Sequence, residues 1–325
     1  MTHGDLPEHL PFDGDASRLK MGLRPLDQSE WVELGDRLGA DLREKRRLLT
    51  DRHDDVVRFI DDDRARVASQ ELLDRLVAHL PARFPDTYSI VDRAGVDRSG
   101  VDRAGVDRAM VIDGIDWSVP LGRPAVDALG VHPVESAGCL TQEDWCVMAP
   151  DDAGRWRLVA ASVCFPTRWV MPDKLGQDLW DLHAPVAHYD VELGRPVDSF
   201  FDRLTPATGK WRTNWNVVDD PELFQPRSRG QFASTGPHAV EDVPELVWLR
   251  AERQTLVRLP ETGAIVFGIR VHQDPLTSIA GSPEILDRLA SSLRTMRPDT
   301  WTYKSLDGYG HEVLAWIDHR LAALA

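Results

Sequence analysis

The residue best placed for metal chemistry closes a short amphipathic segment. In the run from Lys174 to Pro185, Leu175, Leu179, Leu182 and His183 fall on one helical stripe, and Pro185 stops the helix just past the histidine. An imidazole offered from a last helical turn to an apolar pocket suits an iron ligand. One ring nitrogen binds the metal and the other needs a hydrogen-bond partner that fixes the tautomer. The same placement also suits a core histidine that caps nearby carbonyls. His188 follows the proline, in a loop, as a second histidine that could alter the coordination of such an iron.

A second cluster lies on a predicted strand over residues 246–259. One face carries Leu246, Trp248, Arg250, Glu252, Gln254, Leu256 and Arg258, and the other Val247, Leu249, Ala251, Arg253, Thr255, Val257 and Leu259. The second face is apolar except for Arg253 and Thr255. A buried arginine costs several kcal/mol unless paired, so Arg253 calls for an anion or strongly polar ligand, or for a salt bridge to Glu252 or Asp242. On the next strand Ile265, Phe267, Ile269 and Val271 share an apolar face, leaving Arg270 and His272 opposite as solvated residues. In 211–215, Trp211, Thr213 and Trp215 share a face as core packing, while Arg212 and Asn214 point the other way, toward a ligand or water.

These residues need a sheet and helices to hold them. A capping pair, Asp27 and Glu30, predicts a helix running through Trp31, Leu34, Leu38 and Leu42 toward Leu48, and a second helix covers 64–82. Strands are predicted at 144–149 and 156–165, a helix at 172–183, and strands at 210–217, 246–259 and 263–272, the last two joined by Pro260-Glu261-Thr262-Gly263. Two terminal helices follow, one opened by Ser282-Pro283 and one over 310–323. The class is α+β with an antiparallel sheet. Residues 1–20 are expected as a loose arm and 21–325 as one domain. The tandem repeat VDRAG/VDRSG at 91–110 is expected as a surface-loop insertion.

Composition narrows the function. A net charge of −15 argues against a nucleic-acid groove and favours attraction of a small cation. Cys139, Cys146 and Cys164 are too few for a disulfide framework and fit a reducing compartment, so the expected location is cytoplasmic. No apolar run is long enough to cross a membrane. Dinucleotide and P-loop signatures are absent, so electrons for any redox chemistry must come from another chain.

Several stretches together resemble the haem-dependent oxidative N-demethylase alpha-subunit-like family. They include Met21-Gly22-Leu23-Arg24-Pro25-Leu26 with Trp31; Lys45-Arg46-Arg47-Leu48-Leu49; Cys164-Phe165-Pro166-Thr167-Arg168-Trp169; Leu182-His183-Ala184-Pro185-Val186; Trp211-Arg212-Thr213-Asn214-Trp215; and Glu252-Arg253-Gln254-Thr255-Leu256-Val257-Arg258-Leu259-Pro260. The resemblance covers roughly residues 20–310. It implies a PAS-like sheet with flanking helices and helical N- and C-terminal extensions, a haem b cofactor, and O2-dependent demethylation of a small dimethylamine-like amine. Companion subunits would carry flavin, iron–sulfur and folate functions. His183 becomes the axial ligand. Arg253, Thr255 and Arg258 become distal-pocket or propionate contacts, with Arg212 and Asn214 as further cofactor contacts. Glu252 becomes a partner for an alkylammonium. The same fold and histidine would also serve a haem-PAS gas sensor without turnover, or a haemless structural relative.

Overall fold

The alternating strands assemble as their pattern requires. The computed structural model describes residues 6–7, 9–10, 12–96, 102–121, 131–227 and 239–325. In chain order the strands are β1 (Arg24–Pro25), β2 (Val57–Phe59), β3 (Tyr88–Val96), β4 (Asp102–Ile112), β5 (Ser118–Leu121), β6 (Asp144–Pro150), β7 (Trp156–Ser162), β8 (Lys210–Val218), β9 (Trp248–Arg258) and β10 (Ile265–Pro275). The helices are α1 (Leu38–Asp51), α2 (His53–Val56), α3 (Asp63–Arg83), α4 (Pro133–Leu140), α5 (Leu179–His183), α6 (Tyr189–Glu192), α7 (Gly194–Arg203), α8 (Val243–Leu246), α9 (Pro283–Thr295), α10 (Pro298–Tyr303) and α11 (Gly310–Leu324).

Seven strands form one antiparallel sheet in the order β1-β8-β9-β10-β6-β7-β2, and β3-β4-β5 form a smaller one. This is the α+β class expected. The β9–β10 hairpin turns at Gly263, whose φ of +72° is the left-handed conformation that glycine adopts without strain. One face of the large sheet, with Trp145, Val147, Val257 and Val266, packs against α3 and α4 through Leu72, Leu76, Ala137 and Leu140. The other face, with Cys146, Met148, Leu158, Leu256 and Ile265, packs against Leu179 of α5 and Phe201 of α7. A third core joins α9 and α11 to the end of the sheet at Val217 and Leu249. Among the described residues, no helix is long and apolar enough to cross a membrane.

The elements depart from the sequence pattern where side chains capture backbone groups. Asp27 does cap a helical start, accepting from the Ser29 N–H at 2.9 Å, but only a 3-10 turn over Gln28–Glu30 follows. The Glu33 and Gly35 N–H groups donate to the side chains of Glu143 (3.0 Å) and Gln142 (2.9 Å), so α1 starts only at Leu38. The predicted helix over 172–183 is likewise split. Gly176 N–H donates to the Leu158 carbonyl (2.8 Å) and Leu158 N–H to the Gln177 carbonyl (3.1 Å), tying the segment to β7 and leaving a 3-10 turn over Pro172–Lys174 and the short α5.

The repeat at 91–110 is not a loop in its described part. Its two halves pair in β3 and β4, where the register sets Asp92 opposite Arg108 and Arg93 opposite Asp107. Its middle, 97–101, lies outside the described residues. The expected loose arm is also docked from residue 12 onward. Phe12 is buried in the third core, Gly14 N–H donates to Ser292 Oγ (3.1 Å) and Ala16 N–H to Thr295 Oγ1 (2.9 Å).

The buried N-cap of α4 makes stability depend on pH. His132 Nδ1 accepts from the Val134 N–H at 3.3 Å while its ring stacks on Phe59, and burial, with help from the Arg66 charge, lowers its pKa from 6.5 to about 4. Above pH 6.5 the ring is neutral in folded and unfolded chains alike and adds nothing. Below it the unfolded chain takes up a proton that the folded chain refuses, so stability falls from pH 6.5 down to about 4. Urea unfolding across this window is expected to show that loss. His132→Asn, which keeps a capping acceptor without titrating, is expected to flatten it.

Candidate functional site

His183 closes a five-residue helix that is fixed at both ends. Asp178 caps its start, accepting from the N–H groups of Trp180 (3.0 Å) and Asp181 (3.1 Å). Lys174 Nζ donates to the Leu182 carbonyl (3.1 Å), neutralising the end where carbonyls lack partners. Arg157 of β7 donates to the Gly176 carbonyl (2.8 Å) just before the helix. On its outer side, the Trp180 indole covers Gly194 at the start of α7 and donates to Asp198 (2.8 Å). A Cβ on Gly194 would come within 2.5 Å of that ring.

The imidazole is half-buried and stacked on the Tyr189 ring, with centroids 4.3 Å apart and planes 7° from parallel. Its Nδ1 lies 2.7 Å from the Leu179 carbonyl, which can only accept, so the proton sits on Nδ1 and Nε2 keeps its lone pair. Burial lowers the pKa of His183. The nearby Arg212 and Lys174 charges lower it further, while the bond to the Leu179 carbonyl works the other way. The ring is therefore neutral at ordinary pH, the form that binds metals.

Facing α5 across the apolar layer is the β8–β9 surface. Its register pairs Arg212 with Gln254 and Asn214 with Glu252. Glu252 is buried and accepts from Thr167 Oγ1, Asn214 Nδ2 (3.2 Å) and Gln254 Nε2 (2.8 Å). Thr167 in turn accepts from Arg250 Nε (2.9 Å). Arg250 is fully buried and also donates to Gln273 (2.7 Å) and to the carbonyls of Phe165, Leu223 and Glu222 (2.9, 2.9 and 3.2 Å). It thus ties Phe165-Pro166-Thr167 to the sheet. Arg212 is different. Its Nε is shielded from solvent without a hydrogen-bond partner among the described residues, and burial lowers its pKa against the pull of Glu252. A guanidinium so placed is set to receive an anion.

The structure brings His183, Arg212, Asn214 and Glu252 to one side of the sheet. It does not bring Arg253 or Thr255 there. Period-two alternation turns both to the opposite face, where Arg253 Nε pairs with Glu33 (2.7 Å), its Nη2 donates to the Glu30 carbonyl (2.5 Å), and Thr255 is buried beside Gly268 and Trp145. The expected salt-bridge partners Glu252 and Asp242 are thus replaced by Glu33. Arg258 shares the His183 face but is spent on the carbonyls of Leu204 (3.1 Å) and Asp202 (3.4 Å), beneath the Trp156 ring. His188 is drawn away to a contact with the Asp299 carboxylate. Arg270 is buried and reaches Asp41 (3.4 Å), and His272 is part-buried, so neither is solvated as expected. Tyr189, Thr167 and Arg250 were not singled out by sequence. The only signal for Arg250 was its place on the strand face shared with Glu252.

A family model for the haem-dependent oxidative N-demethylase, alpha subunit-like, matches residues 22–314. The chain belongs to this family. Haem, and with it iron, is therefore the cofactor of the N-demethylase-like chain. The residues around His183 fit such a group. Among the described residues there are a neutral imidazole whose Nε2 has no hydrogen-bond partner, a half-buried guanidinium whose shielded Nε also lacks one, and an apolar wall of Leu256, Ile265 and Phe267. Two cavities, of about 300 and 500 Å³, lie elsewhere. One is bounded by Trp31, Arg75, His79 and Val257, the other by Arg52, Asp219, Phe224 and Gln225, and His183 borders neither.

The fit of Trp180 over Gly194 sets the position of α5. Gly194→Ala is expected to destabilise the protein by about 1–3 kcal/mol, the usual cost of overpacking, read as a lower urea midpoint. Trp180→Ala combined with Gly194→Ala should recover part of the overpacking loss, because the clash is removed.

Proposed function

We propose that this chain carries a haem b held by His183 and uses O2 to remove a methyl group from a small secondary alkylamine such as dimethylamine. The observation that carries the reading is the pairing of a neutral imidazole with the Arg212 guanidinium on the same side of the sheet, His183 Nε2 and Arg212 Nε having no hydrogen-bond partner among the described residues. Family membership supports the oxidative demethylation. The order of five central strands, β7-β6-β10-β9-β8, supports a PAS-like sheet, since counted along the chain it runs 2-1-5-4-3. The helices α5, α6 and α7 lie between the second and third of those strands and cover one face, which is where a PAS-like domain holds a ligand.

Bound haem supplies the O2 activation that, with two electrons and two protons, inserts one oxygen atom into an N-methyl C–H bond and releases water; the carbinolamine so formed falls apart into formaldehyde and the smaller amine. The protein does the rest. The Leu179 carbonyl and the Tyr189 ring orient the His183 imidazole, and burial keeps it unprotonated. Arg212 and Asn214 offer N–H donors to a carboxylate or to polar oxygen atoms. Glu252, anchored by Thr167, Asn214 and Gln254, is the carboxylate on that face that an alkylammonium could approach. The net charge of −15 draws such a cation toward the chain. The alpha-subunit description of the family supports companion subunits, to which we assign the flavin and iron–sulfur reductase and the folate-dependent capture of formaldehyde. A cytoplasmic location belongs to the same reading.

The test is turnover of the reduced, haem-loaded protein with dimethylamine and O2. Formaldehyde and methylamine are expected in equal amounts. Glu252→Gln is expected to raise KM for the amine about 10-fold or more while leaving the haem spectrum unchanged. Haem that binds O2 but yields no formaldehyde in any electron-donor system would instead mark a gas-binding module.

A further inference from the structure

The face of the sheet turned away from His183 carries three residues that sequence analysis left without a task. His9, from the N-terminal segment, Glu33, from the stretch before α1, and His272, from β10, converge so that one ligand atom from each lies within 4.8 Å of the others. His9 Nε2 is 3.0 Å from Glu33 Oε2, and His272 Nε2 is 3.5 Å from the same oxygen. A tetrahedral cation with bonds of about 2.0–2.1 Å needs ligand atoms about 3.3 Å apart, a spacing these two separations bracket.

We propose that His9, Glu33 and His272 form a binding site for a divalent first-row transition metal, best suited to Zn2+. Two imidazoles and one carboxylate are a donor set that zinc accepts with a fourth position left to water. The imidazoles approach edge to face, with centroids 4.7 Å apart, which lets both Nε2 atoms point to a common centre. The carboxylate is oriented from behind, because Arg253 Nε takes Glu33 Oε1 at 2.7 Å and leaves Oε2 for the metal, as outer-shell partners of metal sites do. The Trp211 ring closes the site beside His9 and under the Arg253 guanidinium. His272 Nε2 is shielded from solvent, and its Glu33 contact at 3.5 Å is long for a hydrogen bond, so a cation would satisfy a nitrogen that is now poorly served. The three ligands come from positions 9, 33 and 272, so a bound ion would clasp the N-terminal segment to the sheet. This site is separate from the haem reading, since the sheet lies between them.

The experiment uses the tag-free, full-length, haem-loaded protein, stripped of loosely held metal by a chelator and titrated with Zn2+ in a calorimeter. One Zn2+ per chain is expected, with a rise in Tm at saturation. His9→Ala and His272→Ala should each weaken binding by about 100-fold or more, beyond the 10–100-fold that loss of an outer-shell partner costs, and should abolish the rise in Tm. His9 lies in the terminal segment outside the three cores, so its variant keeps the test meaningful even if His272→Ala folds poorly. Absence of saturable Zn2+ binding, or binding equal in wild type and His9→Ala, would overturn the proposal.

Discussion

The bond between His183 Nδ1 and the Leu179 carbonyl is the constraint on which the site depends. It assigns the proton to one nitrogen and leaves the other as a ligand. That bond follows from the helical turn of α5, which stacks residue 183 over the residue 179 carbonyl. Asp178 provides the cap, Lys174 the closing cation, and β7 the anchor through Leu158 and Arg157.

The sheet then sorts chemistry by face. Because successive side chains in β9 alternate, the consecutive residues Arg250 to Thr255 serve two different layers. Arg250, Glu252 and Gln254 build a hydrogen-bonded layer under the His183 side. Arg253 and Thr255 help hold the opposite layer, where the Glu33 carboxylate neutralises the arginine. Burial pushes the Glu33 carboxyl up, but the neighbouring His272 and His9 rings and the Arg253 charge outweigh it and hold the pKa near 2. Thus Arg253 belongs to a charged cluster of its own, and the cation near His183 whose Nε has no hydrogen-bond partner among the described residues is Arg212.

Much of this was legible before the coordinates. The α+β class, the β9–β10 hairpin and α3 follow from periodicity of 2 or 3.6, whereas the stripe that led to His183 is helical only from Leu179 to His183, with Leu175 outside it. The alternation itself already placed Glu252 and Arg253 on opposite sides. What it could not reveal was which side faced α5, because that depends on packing between segments far apart in sequence. Glu33 as the partner of Arg253 was invisible for the same reason, being 220 residues away along the chain. The long helix expected from Asp27 failed because Glu143 and Gln142 capture the N–H groups of Glu33 and Gly35, a tertiary event that local propensity does not register. The repeat was misjudged because a polar five-residue period hides the strand pairing that its own register permits.

The most direct test of the central claim is the ferrous and ferrous–carbon monoxide absorption spectrum of the haem-loaded protein, compared with His183→Gly before and after addition of free imidazole. The account predicts a histidine-ligated spectrum in the wild type, its loss in the variant, and its return when imidazole fills the gap beside Tyr189. A variant spectrum identical to the wild type without added imidazole would contradict it.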